Sequence, residues 1–358
     1  MKQHPLVRLG LLLALMYVFF VSIALMGASF KFFGKDFAAQ LLETTTSPFV
    51  GLFIGILATS LVQSSSTTTS MTVGLVAAGA LDVTRAIPII MGANIGTSVT
   101  NSLVSVGHIS RPAEFKRAFS AATVHDFFNV MAVIILFPIQ VSTNFLGRAA
   151  TVLADGFEGI GGLKLSSPIK LVTKPIVHWI SDLTQETGWI MLVISVILLF
   201  VALRYIVVLL RSMVIGRVQT FFNERLFVNA VRAFVVGLAL TVAVQSSSIT
   251  TSLAVPLAGA GILTLAQIFP MTLGANIGTT ITALLASLAT GNPAAVTVAF
   301  AHLLFNIFGI VIIWPFRRIP MWMAETLAGM ALRSKVIPVL YILVLFYIVP
   351  LVLISFLG

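Results

Sequence analysis

Apolar residues fill most of the chain in blocks long enough to cross a bilayer, and two short polar knots interrupt them. Leu9–Phe30, Trp189–Leu210 and Val336–Leu357 are each long enough for a hydrocarbon core of roughly 30 Å, and they predict membrane-spanning helices. Against that background Leu61–Ser70 reads LVQSSSTTTS, with every residue from Gln63 to Ser70 polar. Val244–Ser252 repeats the spelling as VQSSSITTS. Unpaired polar groups in hydrocarbon are costly, so both knots must line a protein-enclosed or wet cavity. The apolar pieces flanking the first knot, Pro48–Val62 and Met71–Leu81, fall short of the ~20 residues a spanning helix needs. They predict a re-entrant helical hairpin over 48–81 whose arms meet at Gln63–Ser66. The same reading holds for 233–265, with Gln245–Ser248 at the tip.

The knots belong to a longer repeat. The shift that lays Gln63 on Gln245 also carries Gly55 to Gly237, Pro88 to Pro270, and Gly92-Ala93-Asn94-Ile95-Gly96-Thr97 to Gly274-Ala275-Asn276-Ile277-Gly278-Thr279. After a short deletion the alignment resumes, pairing His125 with His302, Asn129 with Asn306 and Pro138 with Pro315. One structural unit is therefore used twice. The organisation expected is a first repeat over 1–140 with its N-terminal helix, an extracytoplasmic linker over 141–187, a second repeat over 188–335, and a C-terminal membrane helix over 336–358.

Charge gives the orientation. Residues 108–117 carry Arg111, Lys116, Arg117 and Glu114, whereas the equivalent 290–296 carry no charge. Lys31, Lys35, Asp36 and Glu43 balance in 31–47, while Arg217, Arg225 and Arg232 outnumber Glu224 in 212–232. The linker is balanced, and 317–335 is basic through Arg317, Arg318, Arg333 and Lys335 against Glu325. Each connector changes class between halves, so the positive-inside rule places the two repeats in opposite orientations. The fold class is then an all-α polytopic membrane protein with two inverted-topology repeats, each with a re-entrant hairpin and a broken transmembrane helix, an architecture of secondary transporters.

Composition agrees. Of 358 residues 58% are hydrophobic and 9% charged, against about 25% charged in a soluble domain, which excludes a soluble protein. The net charge of +10 reads as membrane topology rather than as a nucleic-acid-binding surface. There are no cysteines, which removes disulfides, thiolate metal sites and thiol nucleophiles. The first apolar run is too long for a signal-peptide core and lacks a small-x-small cleavage site, so it reads as a helix.

Each hairpin is followed by Gly-Ala-Asn-Ile-Gly-Thr. The G-x-x-x-G spacing fits close helix packing. It also permits unwinding, which frees carbonyls beside the side-chain oxygens of Asn94, Thr97, Asn276 and Thr279 to coordinate small cations. Duplication beside each knot favours the second reading.

The knots offer hydroxyls, amides and helix N-termini but no Lys or Arg. Such donors suit the oxygens of a tetrahedral anion such as phosphate, which makes Gln63, Ser64, Ser65, Ser66, Gln245, Ser246, Ser247 and Ser248 the substrate-binding candidates. They do not neutralise a double charge in low dielectric. A co-bound cation must do so, and an oxygen-rich site suits sodium. Asp126, inside the apolar run Ala121–Pro138, is a candidate ion ligand or proton carrier. Leu303 stands at the matching position, so the role of Asp126 is asymmetric. A structural partnership with His125 or Asn129 is the competing reading. His125 and His302 read as packing or hydrogen-bonding residues ahead of proton transfer or metal binding.

These residues resemble the type II sodium–phosphate cotransporters. The likeness rests on QSSS at 63–66 and 245–248, GANIGT at 92–97 and 274–279, Thr100 and Asn101, and RAFSAATVHDFFN at 117–129. It covers the chain from about Pro48 onward. The resemblance implies coupled uptake of sodium and inorganic phosphate by alternating access, in the cell (plasma or inner) membrane, with sodium as a co-transported ligand and no cofactor. It implies that both QSSS serine sets contact phosphate, that Gln245, Ser246, Thr279 and Thr282 surround one sodium, and that Thr100 joins the sodium-binding candidates. The family's Ala-x-Ala-x-x-x-Asp pattern reads here as Ser120-Ala121-Ala122-Thr123-Val124-His125-Asp126. It implies a further sodium at Asp126 and electrogenic transport, with Ser120 departing from the pattern.

Other functions fit less well. A transporter of another oxyanion or a small dicarboxylate remains open on the residues alone. An intramembrane serine hydrolase lacks a G-x-S-x-G elbow, and nothing in the sequence places a histidine near a serine. The expected partners are phosphate, sodium and the lipid bilayer, without nucleic acid and with no oligomeric state specified.

Overall fold

In a computed structural model the protein is described over residues 5–32, 47–159, 166–221, 227 and 229–357. The connector charges at Lys35, Asp36, Glu43, Lys164, Glu224 and Arg225 lie outside those residues. Among the described residues all elements are helical. In chain order they are α1 (Pro5–Phe32), α2 (Pro48–Val62), α3 (Ser65–Ala77), α4 (Val83–Gly96), α5 (Val99–Val106), α6 (Pro112–Thr143), α7 (Phe145–Gly159) and α8 (Ser166–Leu183). There follow α9 (Gly188–Phe221), α10 (Ala230–Val244), α11 (Ser247–Gly259), α12 (Leu265–Thr290), α13 (Pro293–Ile313), α14 (Arg318–Arg333), α15 (Val336–Leu343) and α16 (Val349–Leu357). Among the described residues seven stretches are long and apolar enough to span a bilayer, namely 6–29, 83–106, 112–143, 188–206, 265–290, 293–316 and 336–357. The chain is a polytopic membrane protein.

The two hairpins form where the polar knots stand. Arms α2 and α10 are each 15 residues, about 22 Å of helix, too short for the membrane core. Pro48 starts α2 at a position where its missing N–H costs nothing. Both arms end on a glutamine in the left-handed region, Gln63 at φ 54°, ψ 31° and Gln245 at φ 54°, ψ 29°. A serine in extended geometry then restarts the chain as α3 or α11. Two separated sequences thus make one tip conformation.

Glycines set how each hairpin meets the next helix. A Cβ at Gly92 would overlap the Leu52 carbonyl, and one at Gly274 would overlap that of Phe234. Gly55 and Gly237 stand in the same way against the carbonyls of Ile89 and Met271. Backbone lies on backbone, α2 against α4 and α10 against α12, in the same register.

Here one expectation is corrected. In the first half the helix is interrupted directly after the motif, with Thr97–Ser98 between α4 and α5. In the second half α12 runs through Gly274–Thr279 without a break. Thr279 and Thr280 donate their hydroxyls back to Ala275 O (3.1 Å) and Ile277 O (2.7 Å). The glycines there serve close packing, and the expected broken helix of the second repeat is a continuous one.

The linker over 141–187 is largely helical, comprising α7 and α8 after the last turn of α6. The C-terminal helix changes to π geometry over Val344–Ile348, immediately before Pro350. The core sits around α6 and α13, with Phe128, Phe269 and Phe305 fully buried between the halves.

Candidate functional site

The first turn of a helix leaves backbone N–H groups without intrahelical partners. At each tip a serine cap takes one of them. Ser64 Oγ accepts from Thr67 N at 3.2 Å, and Ser246 Oγ accepts from Ile249 N at 3.4 Å. Ser65, Ser66, Ser247 and Ser248 lie buried in the first turns of α3 and α11. Ser64, Gln245 and Ser246 are half-buried, and Gln63 is exposed.

The tips differ in what they bind within the protein. Gln245 Oε1 accepts from Thr282 Oγ1 at 2.8 Å, while its amide donates to Val242 O at 2.7 Å. That joins two of the sodium candidates, and a cavity of about 200 Å³ reaches both. Thr279 lies one turn before Thr282 but bonds only to its own helix. Among the described residues no hydrogen bond joins the two tips directly. The second tip reaches the end of α4, where Ser248 Oγ donates to the Thr97 carbonyl at 3.4 Å, while within the first hairpin Thr59 Oγ1, packed against Gly96, donates to Thr68 Oγ1 at 2.9 Å.

A second polar chain crosses the centre. His125 Nε2 donates to Asn276 Oδ1 at 2.6 Å, Asn276 Nδ2 donates to Asn129 Oδ1 at 2.8 Å, and Asn129 Nδ2 donates to the Asn94 carbonyl at 2.8 Å. All four residues are buried. It ties the glycine motifs of both halves to α6 and gives His125 the hydrogen-bonding role expected of it. His302 has no such partner.

Asp126 is fully buried but partners neither His125 nor Asn129. Tyr341 donates its hydroxyl to Asp126 Oδ2 at 2.8 Å and Ser102 donates at 3.4 Å, leaving Oδ1 without a partner. Tyr341 was invisible to sequence reasoning, because a tyrosine in an apolar C-terminal run reads as a membrane-interface residue. Asn101 also gains a definite place: Thr251 and Ser252 of α11 donate to its Oδ1 at 3.0 and 2.8 Å. Thr100 Oγ1 is buried without a partner.

Each second arm is clasped at its far end by the other half. Arg117 donates Nε to Gly259 O (2.9 Å) and Ala258 O (3.2 Å), ending α11. Asn292 Nδ2 donates to Ala77 O at 3.0 Å, ending α3. The halves therefore interlock through the elements that carry the polar knots.

These features define a class: an all-helical membrane protein with two like Gln-Ser hairpins set into interlocked halves. A sequence model of the family described as Na+/Pi-cotransporter matches residues 18–164 and 188–332. Sodium-dependent phosphate transport protein 2B of Pongo abelii and that of Homo sapiens are each 32% identical over 96% of this chain and 64% of their own length. Sodium-dependent phosphate transport protein 2A of Mus musculus is 32% identical over 96% of this chain and 67% of its own. No solved structure matches. The chain belongs to the Na+/Pi-cotransporter family. It spans under two thirds of the length of the 2B relatives.

Proposed function

We propose that the protein imports inorganic phosphate coupled to sodium by alternating access between inverted repeats, and that transport is electrogenic. The observation that carries this reading is the pair of tips with one backbone geometry, each presenting a serine-capped helix N-terminus. Ser64–Ser66 and Ser246–Ser248, with Gln63 and Gln245, supply donors to the phosphate oxygens. Gln245, Ser246, Thr279 and Thr282 hold one sodium, and the Gln245–Thr282 bond supports that grouping. Asn94, Thr97, Thr100 and Asn276 contribute further oxygens along α4 to α5 and α12. The names of the relatives agree with this substrate pair.

Asp126 takes the additional sodium. Its unpartnered Oδ1 supports the assignment, since a buried carboxylate oxygen demands a compensating charge or donor. Asp126→Gly is expected to lower the current carried per phosphate, measured as current against radiolabelled uptake in the same cells. An unchanged ratio would exclude the charge-coupling role.

Radiolabelled phosphate uptake into proteoliposomes tests the function as a whole. With sodium, potassium or protons as the only imposed gradient, sodium alone is expected to drive accumulation, and arsenate but not succinate is expected to compete. Equal accumulation with potassium would remove sodium coupling, and competition by succinate would favour a dicarboxylate carrier.

A further inference from the structure

Eight buried side-chain polar atoms among the described residues lack a protein partner, and four of them share one property. The four are Thr100 Oγ1, Thr241 Oγ1, His302 Nε2 and Asn306 Oδ1. Each is the repeat counterpart of an atom that is bonded in the other half. Thr100 corresponds to Thr282, which donates to Gln245. Thr241 corresponds to Thr59, which donates to Thr68 at 2.9 Å. His302 corresponds to His125, bonded to Asn276, and Asn306 corresponds to Asn129, whose Oδ1 accepts from Asn276.

The partners these atoms lack are also present and loosely held. Gln63, counterpart of Gln245, is exposed. Thr250, counterpart of Thr68, bonds only to Ser246 O of its own helix start. Asn94, counterpart of Asn276, has its amide 3.5 Å from Ile90 O, and Asn306 turns its amide back to His302 O. Helix α13, which carries His302 and Asn306, already packs against α4, which carries Asn94. The backbone shows the same asymmetry, with a break at Thr97–Ser98 and continuous helix at Thr279–Thr280.

Buried polar groups are nearly always satisfied, so four unsatisfied atoms obeying one rule call for one cause. We propose that Thr100, Thr241, His302 and Asn306 are positioning residues for the opposite-facing state, in which the two halves exchange these hydrogen-bond sets. In that state Gln63–Thr100, Thr241–Thr250, His302–Asn94 and Asn94–Asn306 close. Gln245–Thr282, Thr59–Thr68, His125–Asn276 and Asn276–Asn129 open, and the helix break passes from 97–98 to 279–280. Within these sets four bonds form as four like bonds break, which favours two states close in free energy, as a carrier requires. Four atoms stand outside the exchange: Ser70 Oγ, whose counterpart Ser252 bonds Asn101 where the other half has Ala283; Asp126 Oδ1, whose counterpart residue is Leu303; and the Nδ1 atoms of His125 and His302, unpartnered in both halves. The inference rests on the alternating-access reading above.

The absence of cysteine allows a single reporter, Ser64→Cys, in an otherwise thiol-free chain. Its labelling by a membrane-impermeant maleimide is compared in right-side-out and inside-out vesicles. Asn129→Leu removes two bonds of the state described here, to Asn276 and to the Asn94 carbonyl, and Asn306→Leu removes the counterpart of the first. The two are expected to shift the ratio of labelling rates in opposite directions, by roughly fivefold for each buried hydrogen bond, and the double variant is expected to return toward the parent. If either fails to fold, His125→Phe and His302→Phe make the same comparison. Shifts in one direction, or ratios within about twofold of the parent for folded variants, overturn the exchange. Phosphate uptake by the unaltered chain is scored separately. Sodium-driven uptake without opposed shifts overturns this inference alone, whereas opposed shifts without uptake overturn the transport reading and leave the exchange standing.

Discussion

Ser64→Ala and Ser246→Ala are each expected to lower sodium-dependent phosphate uptake about tenfold or more, with little change in the amount of folded protein. The reason lies in how the tip uses the hydroxyl. Ser64 Oγ accepts from Thr67 N at 3.2 Å and from Thr67 Oγ1 at 2.8 Å, so its own O–H remains to donate outward. A hydrogen bond to a charged group contributes about 1.5–3 kcal/mol, and each ~1.4 kcal/mol is tenfold in affinity. Losing the cap of α3 costs about 1 kcal/mol, which lowers thermal stability modestly without emptying the membrane of protein. Ser246 repeats the argument on α11 with a longer cap bond of 3.4 Å. Wild-type uptake in both variants would remove the tips from the substrate site.

The second large effect concerns folding rather than binding. Gly92→Ala and Gly274→Ala are expected to abolish stable expression or to lower the melting temperature sharply, because each new methyl meets a backbone carbonyl that cannot swing aside. Gly329→Ala, in α14 with nothing near its added methyl, is expected to leave stability unchanged or raised, since alanine exceeds glycine in helix propensity by about 1 kcal/mol. Size-exclusion profiles and thermal melts of the three variants decide it. Stable, monodisperse Gly92→Ala and Gly274→Ala proteins would contradict the backbone-on-backbone packing.

The hairpins were legible in the sequence because a run of polar residues from Gln63 to Ser70 has few places to go in a membrane protein, and the repeat at Gln245 said so twice. Pro48–Val62 emerged with the bounds its apolar pattern gave. The glycine motifs were only half legible. Gly-x-x-x-Gly serves unwinding and close approach equally, and the same spelling is followed by a break in one half and lies within a straight helix in the other. What separates them is tertiary, including the Ser248 hydroxyl that meets the freed Thr97 carbonyl. Partnerships between distant segments left no local signal either. The Tyr341–Asp126 bond and the Asn292 and Arg117 clasps join residues that no periodicity relates.

The account depends on a substrate pocket whose donors are hydroxyls, amides and helix ends, so that a doubly charged anion requires a cation beside it. Equilibrium binding of radiolabelled phosphate to the purified full chain, in sodium against potassium at equal ionic strength, tests this most directly. Saturable binding in sodium that falls to background in potassium is the result expected. Equal binding in both salts would contradict it.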